Sequence, residues 1–338
     1  MNAYLYKLRF DTAAHFGASD SALSFYISED HFCADTLFSA LCHTASATEH
    51  PDAAADLCQE AKAGNFLLSD SMPWSQDKSG VTTFFLPRPM LISETRQNIA
   101  DISSQNRPEN RKEIKKLNWL PVNLLDDYAT SVYHNANIFD ISGIPKKFGE
   151  ADVIERAAIS REIDKDANPY PTGAFYFYAN CGLYFIALIK NPALAKKIAS
   201  LLNALGVTGI GGKISSGYGK FSLIETIDLQ NPPDSQTAWI YNALIRQDSD
   251  RQILLTASLP RPDEIETALD DAYFQLIRRA GFVRPFFPEN QGRKKRVQYY
   301  LTAGSVLRRR FSGNLYPVGD GENDYIFRYG RPVFLGLA

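Results

Sequence analysis

Six glycines stand among the fourteen residues from Gly206 to Gly219, and this run constrains the fold more than any other feature of the sequence. A helix pattern precedes it: Asn191 is a good N-cap, Pro192 a good first helical residue, and leucine and isoleucine recur at helical spacing until Gly206. Residues 218–227 then alternate like a strand. The sequence therefore predicts a helix and a strand joined by a glycine-rich turn.

Other segments place further strands and a helix around this unit. Tyr4 to Phe10 alternates with period two, which predicts a strand. Asp35 precedes an apolar repeat in residues 36–45, which predicts a helix with Asp35 as its N-cap. Residues 174–178 and 183–189 are aromatic and β-branched, and the turn between them predicts a hairpin. The order β-α…β-β-α-β is that of a ferredoxin-like domain.

The length of 338 residues favours two domains over one. We expect an N-terminal domain over 1–230, with an irregular insertion at about 66–171 that has some structure of its own. A Pro-rich stretch at 231–236 is typical of a domain boundary. Strand patterns at 253–259, 272–277, 297–301 and 305–307, with a short helix at 263–269, predict a second domain over 231–338. The expected fold class is α+β.

Composition excludes several classes of protein. Apolar residues make up 45% and charged residues 22%, as in ordinary globular chains. No apolar run reaches about 18 residues and the N-terminus lacks the pattern of a signal peptide, so we expect a cytoplasmic protein without a membrane span. The four cysteines form no Cys-x-x-Cys pair and the five histidines no recognisable cluster. We therefore expect buried thiols, no metal and no disulfide framework.

The charge is unevenly distributed along the chain. The net charge is −2, yet the segment from Arg278 to Arg310 has ten basic residues and one acid, so it carries +9 and the remainder −11. A net charge near zero gives no global attraction to nucleic acid. A localised groove is then the only RNA-binding surface that the sequence supports.

The glycine-rich run has the composition of an anion-binding loop, because glycine lets a phosphate approach backbone N–H groups closely. It does not match a nucleotide-binding motif. A Walker A loop fails because Val207 stands five residues before Gly212 and Ile214 follows Lys213, and the dinucleotide fingerprint fails as well. No nucleotide cofactor is expected. Composition alone leaves open a purely structural turn.

Several segments together resemble a known family. They are His15-Phe-Gly17, Asp35-Thr-Leu-Phe-Ser-Ala-Leu41, Ile159-Ser-Arg-Glu162, Gly209-Ile-Gly-Gly-Lys-Ile-Ser-Ser-Gly-Tyr-Gly219, 273–283, 303–306 and 327–332. The chain resembles, over essentially its whole length, the RAMP-superfamily subunit that caps the crRNA 5′ handle in type III-A CRISPR (Csm) effector complexes, the fourth Csm subunit.

The resemblance implies two ferredoxin-like (RRM-like) domains, a glycine-rich loop beside RNA, and an inserted thumb-like region at the junction of handle and guide. It implies three partners: the crRNA 5′ handle, the large subunit with the polymerase/cyclase domain, and the adjacent backbone RAMP subunit. It implies neither catalysis nor a cofactor. The RNA-binding residues expected in this chain are Gly209, Gly211, Gly212, Lys213, Ser215, Ser216, Gly217, Tyr218, Arg161, His15, Ser39, Arg278, Arg279, Lys115 and Lys116.

Each of these residues also has a plainer interpretation. Arg161 could pair with a neighbouring acid, and the basic residues around Arg278 and Arg279 could face solvent or an acidic partner. Two other functions stay open. One is a metal-independent crRNA-processing endoribonuclease of the same superfamily, with His15, His31 or His43 as general acid or base. The other is a scaffold subunit whose glycine-rich loop is only structural.

Overall fold

The computed structural model describes residues 1–17, 22–92, 113–114, 116–133, 139–158, 168–283, 293–319 and 326–337. Seven strands form its central sheet: β1 (Asn2–Phe10), β2 (Phe66–Leu68), β3 (Met72–Gln76), β4 (Thr82–Pro87), β5 (Trp119–Pro121), β8 (Cys181–Ile189) and β9 (Phe221–Asp228). The order is β5-β4-β3-β8-β1-β9, with β2 also paired to β8, and every pairing is antiparallel.

Helices cover both faces of this sheet. Helices α1 (Ala34–Thr48), α2 (Ala53–Lys62) and α4 (Pro192–Thr208) share one apolar core with alternate residues of β1, among them Tyr6 and Leu8. Helices α3 (Leu125–Tyr133) and α5 (Ser235–Ile245) share a second core with Leu5 of the same strand. The period-two pattern predicted for β1 is confirmed, because Tyr4, Tyr6, Leu8 and Phe10 all lie against the first core.

Helix α4 forms as predicted at its N-terminus and ends later than predicted. The side chain of Asn191 accepts a hydrogen bond from the Ala193 N–H at 3.0 Å. The helix continues through Gly206 to Thr208, and Gly209, at φ 93°, ends it. Gly206 belongs to the helix because its missing side chain makes room for a neighbouring strand: a Cβ there would lie 2.2 Å from the Phe221 carbonyl oxygen.

The hairpin predicted for residues 174–189 is wrong. Strand β7 (Asn168–Phe177) pairs over ten residues with β6 (Gly149–Ala158), and the two form a separate two-stranded ribbon. Strand β8 pairs with β1, β2 and β3 instead. Strand β7 therefore does not pair with β8, the strand that follows it in the sequence. It forms a ten-residue ladder with β6, while both edges of β8 pair with other strands of the central sheet.

The range 66–171, expected to be an irregular insertion, contains strands β2 to β5, which belong to the central sheet. It also contains β6 and the start of β7, which form the separate ribbon. The C-terminal part contains α6 (Ile265–Leu269) and short strands. These are β10 (Gln252–Leu254), β11 (Leu276–Arg279), β12 (Gln298–Leu301), β13 (Val306–Leu307), β14 (Leu315–Pro317), β15 (Phe327–Tyr329) and β16 (Phe334–Gly336).

These C-terminal strands form the sheet β13-β10-β16 and the two ribbons β11-β12 and β14-β15. The predicted strands are present but shorter, and the predicted helix begins at Ile265. The stretch 231–236 ends at a capping box, where the Asp234 side chain accepts from the Thr237 N–H at the start of α5. None of the helices in the described ranges is long and apolar enough to cross a membrane.

Candidate nucleic-acid interface

A cleft of about 480 Å³ lies between the glycine-rich loop and the C-terminal strands. One wall comes from the loop that follows β1 (the first loop) and from the start of α1. The other wall comes from β11 and the turn before β13. The residues that line it include His15, His31, Asp70, Trp119, Gly211, Gly212, Arg279 and Thr302. Five of the seven segments that carry the family resemblance therefore contribute to one concave surface; 159–162 lies outside the described residues, and 327–332 does not line the cleft.

Backbone hydrogen bonds join the glycine-rich loop to the segment that follows β1. The Gly219 N–H donates to the Ala13 carbonyl at 2.7 Å, and the Gly212 N–H donates to the His15 carbonyl at 2.9 Å. Gly211 has a φ of 96°. Within the described residues, the N–H groups of Gly211 and Lys213 donate to no acceptor. Gly211 lines the cleft, and backbone N–H groups in turns of this kind are typical ligands of anions.

Lys213 follows this turn in a left-handed conformation, with φ 59°. Its ammonium lies 4.5 Å from the centre of the Tyr170 ring and 5.9 Å from that of Phe25. A cation over an aromatic face is attracted by about 0.5–1 kcal/mol at an exposed site. Ser215 and Ser216, the next predicted contacts, are exposed. The loop thus presents one cation and two hydroxyls beside the β6–β7 ribbon.

The position of Tyr218 does not agree with the expectation that its ring is available to stack on bases. Its side chain is only 4% exposed, and the Arg156 guanidinium lies 4.9 Å from the ring centre. The ring therefore presents no free face for stacking in this structure. It connects the loop to the ribbon instead.

His15 is buried beside the loop. Its Nδ1 and the Gly173 carbonyl oxygen are 2.7 Å apart, so Nδ1 carries the proton and donates. Burial lowers the pKa of His15, and the charge of Lys213 lowers it further, against the hydrogen bond to Gly173. The imidazole is therefore neutral at pH 7 and joins the first loop to the ribbon.

At the rim of the cleft, Asp30 orients two rings. One of its oxygens lies 3.0 Å from Nδ1 of His31, and the other accepts from the Trp119 indole at 2.9 Å. The two rings meet edge to face at 5.2 Å. Burial opposes the charge on His31, but Asp30 outweighs it and raises the pKa of His31 above its ordinary value.

Glu29 joins this group: one donor atom each from Glu29, Asp30 and His31 lies within 4.8 Å of the others. The histidine spacing in the sequence gave no sign of such a cluster. Both oxygens of Asp30 are already used by His31 and Trp119, so the arrangement orients the rings that line the cleft.

The prediction that Asp35 caps α1 is wrong. Cys33 is the N-cap, and Asp70 supplies the carboxylate instead: its Oδ1 accepts from the Ala34 N–H at 2.7 Å. The Oδ2 of Asp70 accepts from the Ala257 N–H at 2.9 Å. A single buried side chain thus joins the start of α1 to the C-terminal part.

Asp35 is half of an ion pair with Arg279. The Arg279 Nε–H donates to Asp35 at 3.1 Å and a second N–H donates to its other oxygen, while Arg328 Nε lies 3.7 Å away. Burial alone would raise the pKa of Asp35, but the two arginines hold it below its ordinary value. Arg279 lines the cleft with its charge already paired.

The remaining predicted residues lie apart from the cleft or outside the described ranges. Arg161 and Lys115 lie outside the described residues. Lys116 is exposed and pairs with Glu113 at 2.7 Å. Ser39 is half-buried on α1 and is not among the cleft-lining residues. Arg278 lies opposite Tyr299 on the face of the β11–β12 ribbon that Arg279 does not share.

Sequence reasoning missed four residues that shape the cleft or its support: Asp70, Trp119, Thr302 and Arg328. The partners of Asp70, Trp119 and Arg328 lie far away along the chain, so no local pattern indicates these three residues. Thr302 has a buried hydroxyl oxygen without a hydrogen-bond partner among the described residues, which is a place for a ligand donor.

Comparison with known proteins shows which family this chain resembles in sequence. Residues 247–337 match the model described as the CRISPR Csm4 C-terminal domain. A protein named CRISPR system Cms protein Csm4 from Mycobacterium tuberculosis (strain CDC 1551 / Oshkosh) is 30% identical over 338 residues, covering 100% of this chain and 98% of that protein. A Streptococcus thermophilus protein of the same name is 27% identical over 340 residues, covering 100% and 99%.

Solved structures agree in fold. The Csm3-Csm4 subcomplex of a type III-A CRISPR-Cas interference complex contains a chain with a TM-score of 0.61 and 17% identity, covering 100% of each chain. A Csm1-Csm4 cassette in complex with pppApA contains one with a TM-score of 0.61 and 16% identity, covering 100% of this chain and 98% of that one.

The antiparallel sheets, the glycine-rich loop and these matches define a protein subunit of a CRISPR effector complex. More particularly, the chain belongs to the Csm4 family.

Proposed function

We propose that this chain binds the 5′ handle of crRNA along the cleft, as a non-catalytic subunit of a type III-A CRISPR complex. The observation that carries the proposal is the glycine-rich loop, which lines the cleft with Gly211 and Gly212 and continues directly into Lys213 and two exposed serines. Backbone N–H groups and a lysine are the donors that RNA phosphates need.

Electrostatics support the same surface. Although the chain carries a net charge of −2, no carboxylate stands in the sequence from Gly206 to Lys220. Arg279, on the opposite wall, is paired with Asp35, whereas the loop adds the positive charge of Lys213 beside the cleft. A phosphate backbone that follows the loop would exchange counterions for Lys213, and its affinity should fall with salt.

Relatives of this chain are found in structures together with Csm1 and with Csm3. We extend both partnerships to this chain, with the polymerase/cyclase-bearing large subunit and a backbone RAMP subunit as neighbours. The outer face of the β11–β12 ribbon supports a protein contact, since Leu276 and Tyr299 are 57% and 56% exposed there and Arg278 lies between them. Exposed apolar side chains with basic neighbours are typical of interfaces.

The endoribonuclease remains the second candidate because His15 and His31 line the same cleft. One is buried and neutral, and the other has a raised pKa beside Asp30, so a base and an acid are both present. Their fixed contacts to Gly173 and Asp30 favour a positioning role. Incubation of the purified chain with repeat RNA, with His15→Ala and His31→Ala variants as controls, separates the two functions.

The decisive experiment is to co-express the chain with its genomic neighbours, purify through a tag on this subunit and sequence the RNA that comes with it. We expect short RNAs with one common 5′ handle, together with a large polymerase-domain subunit. A double variant K213A/S216A should lose most of that RNA. The matched control is K190A, an exposed lysine at the opposite end of β8 from the loop.

Retention of normal RNA by K213A/S216A, with the protein partners still bound, would favour the scaffold function. Cleavage of repeat RNA by the chain alone would favour the endoribonuclease.

A further inference from the structure

Helices α1 and α2 form an antiparallel helical hairpin that brings two cysteines side by side. Cys42 on α1 stands eight residues before His50, in the short connection, and Cys58 on α2 eight residues after it. Residues at equal distances from the turn of an antiparallel hairpin lie opposite each other. Ala45, Ala53 and Ala61 are fully buried in the same core, and their small side chains allow the two helices to approach closely.

Both cysteines pack against the same core, and each thiol shifts the pKa of the other, so the two side chains are neighbours across the hairpin. Both residues are half-buried, so solvent reaches this pair at the surface of the hairpin. Cys33 and Cys181 differ, since they are buried at 7% and 3% exposure. The nearest hydrogen-bond acceptor of Cys181 is Asn180, at 3.8 Å.

The surroundings also give the two thiols different reactivity. The neighbouring Cys42 thiol and the charge of Lys62 lower the pKa of Cys58, while the Cys58 thiol and burial raise the pKa of Cys42. Burial raises the pKa of Cys181 to about 11 and that of Cys33 well above its ordinary value. Because the thiolate is the nucleophile in disulfide exchange, Cys58 is the reactive cysteine of the four.

We propose that Cys42 and Cys58 form a redox modification site, a dithiol that closes to a disulfide when it meets a small-molecule disulfide such as glutathione disulfide. The Cys58 thiolate attacks one sulfur of that disulfide, its S–S bond breaks, and one glutathione thiolate leaves and takes up a proton. The thiol of Cys42 then loses its proton and attacks the Cys58 sulfur of the mixed disulfide, releasing the second glutathione. Two protein thiols are oxidised and one glutathione disulfide is reduced to two thiols.

The bond would join the two helices that support the C-terminal part of the chain. Asp35, at the start of α1, pairs with Arg279, and the carbonyl of Lys62, at the end of α2, accepts from Arg331. The Lys62 ammonium lies 3.8 Å from the centre of the Phe327 ring. A cross-link that closes such a loop restricts the unfolded chain, so oxidation should raise the melting temperature by a few degrees.

The test treats the full chain with glutathione disulfide and follows it by intact mass and peptide mapping. We expect the loss of two hydrogen atoms per molecule, one cross-linked peptide pair joining Cys42 to Cys58, and reversal by dithiothreitol. The C42S variant should stop at a stable glutathione adduct on Cys58. The C58S variant should react many times more slowly at Cys42.

Three results would overturn the proposal. They are glutathione adducts on wild-type protein without the cross-link, faster reaction at Cys33 or Cys181 than at Cys58, and a cross-link that joins any other pair. Peptide mapping of the wild-type chain distinguishes them without relying on the folding of a variant.

Discussion

Arg279 on β11 and Asp35 in the first turn of α1 form a two-pronged ion pair across 244 residues of sequence. Their side chains are 14% and 11% exposed, so the charges are shielded from water and from screening ions. Arg328 also contacts this pair. Its Nε lies 3.7 Å from the same carboxylate, and one of its N–H groups donates to the Arg279 carbonyl at 2.9 Å. The pair fixes the C-terminal part against the helix that lines the cleft.

Removal of one partner should therefore destabilise the chain. Arg279→Ala leaves Asp35 buried without its hydrogen-bonded partner, with Arg328 and Lys295 as the remaining nearby cations. Loss of one partner of a buried pair costs about 3–5 kcal/mol. Arg309→Ala, at an exposed arginine of the same C-terminal part, is the matched control and should change stability by less than about 1 kcal/mol. Urea unfolding measures both, and equal effects of the two variants would contradict the structural role of the pair.

The double variant D35L/R279L extends this prediction. Apolar residues of similar volume can replace a buried ion pair with little loss, because neither charge is left without a partner. We expect the double variant to unfold at a higher urea concentration than Arg279→Ala. A double variant less stable than the single one would mean that Arg328 depends on the Asp35 carboxylate.

The glycine-rich loop offers a second pair of matched variants. Gly219 has a φ of 73°, and a Cβ there would lie 2.0 Å from the Ile210 carbonyl oxygen. Gly217 has a φ of 84° with nothing within 4 Å of its Cβ position. Gly217→Ala should cost only the left-handed conformation, about 1–2 kcal/mol. Gly219→Ala must also move the backbone beside Gly211, so it should be clearly less stable and bind RNA more weakly than Gly217→Ala.

Local signals in the sequence were enough for single elements. The alternation in β1 and the Asn191-Pro192 start of α4 depend on neighbouring residues only, and both are confirmed. The glycine-rich loop was found in the same way, because its composition permits positive φ angles, and four of its glycines adopt them. His15, Gly211, Gly212 and Arg279 of the predicted site do line one cleft.

Pairings between distant residues could not be predicted. A carboxylate just before a helix is usually its cap, yet Asp70, 36 residues after Ala34, takes that role and frees Asp35 for Arg279. Strand β7 likewise takes β6 as its partner although β8 follows it directly. In both cases the choice depends on the free energy of the folded arrangement as a whole, to which a local pattern contributes only part.

Lys213 should control the salt dependence of RNA binding. Its ammonium has no carboxylate partner among the described residues. Each phosphate neutralised on a single strand contributes about 0.7 to the slope of log affinity against log salt. Lys213→Ala should therefore weaken binding and flatten that slope by about 0.7, whereas Lys190→Ala should leave both unchanged. Filter-binding titrations at four salt concentrations test this, and an unchanged slope in Lys213→Ala would exclude a phosphate contact.

Asp70 makes the connection between α1 and Ala257 sensitive to pH. Burial raises the pKa of Asp70 to about 6, against the hydrogen bonds from Ala34 and Ala257, whereas an unfolded aspartate titrates near 3.8. Because the folded pKa lies above the unfolded one, the stability that Asp70 contributes is fully present below about pH 4 and is lost as the pH rises through 6. A difference of about two pH units corresponds to roughly 3 kcal/mol.

Asp70→Asn removes this titration and leaves one acceptor for two N–H donors, so the variant should be less stable at every pH. The free energy of unfolding of wild type minus that of Asp70→Asn should fall between pH 4 and 7 and level off above pH 7, because the other titrating groups contribute equally to both proteins. Urea unfolding at half-unit pH intervals measures this difference. A difference that rises with pH would mean that the two N–H donors outweigh burial and hold the carboxylate ionised.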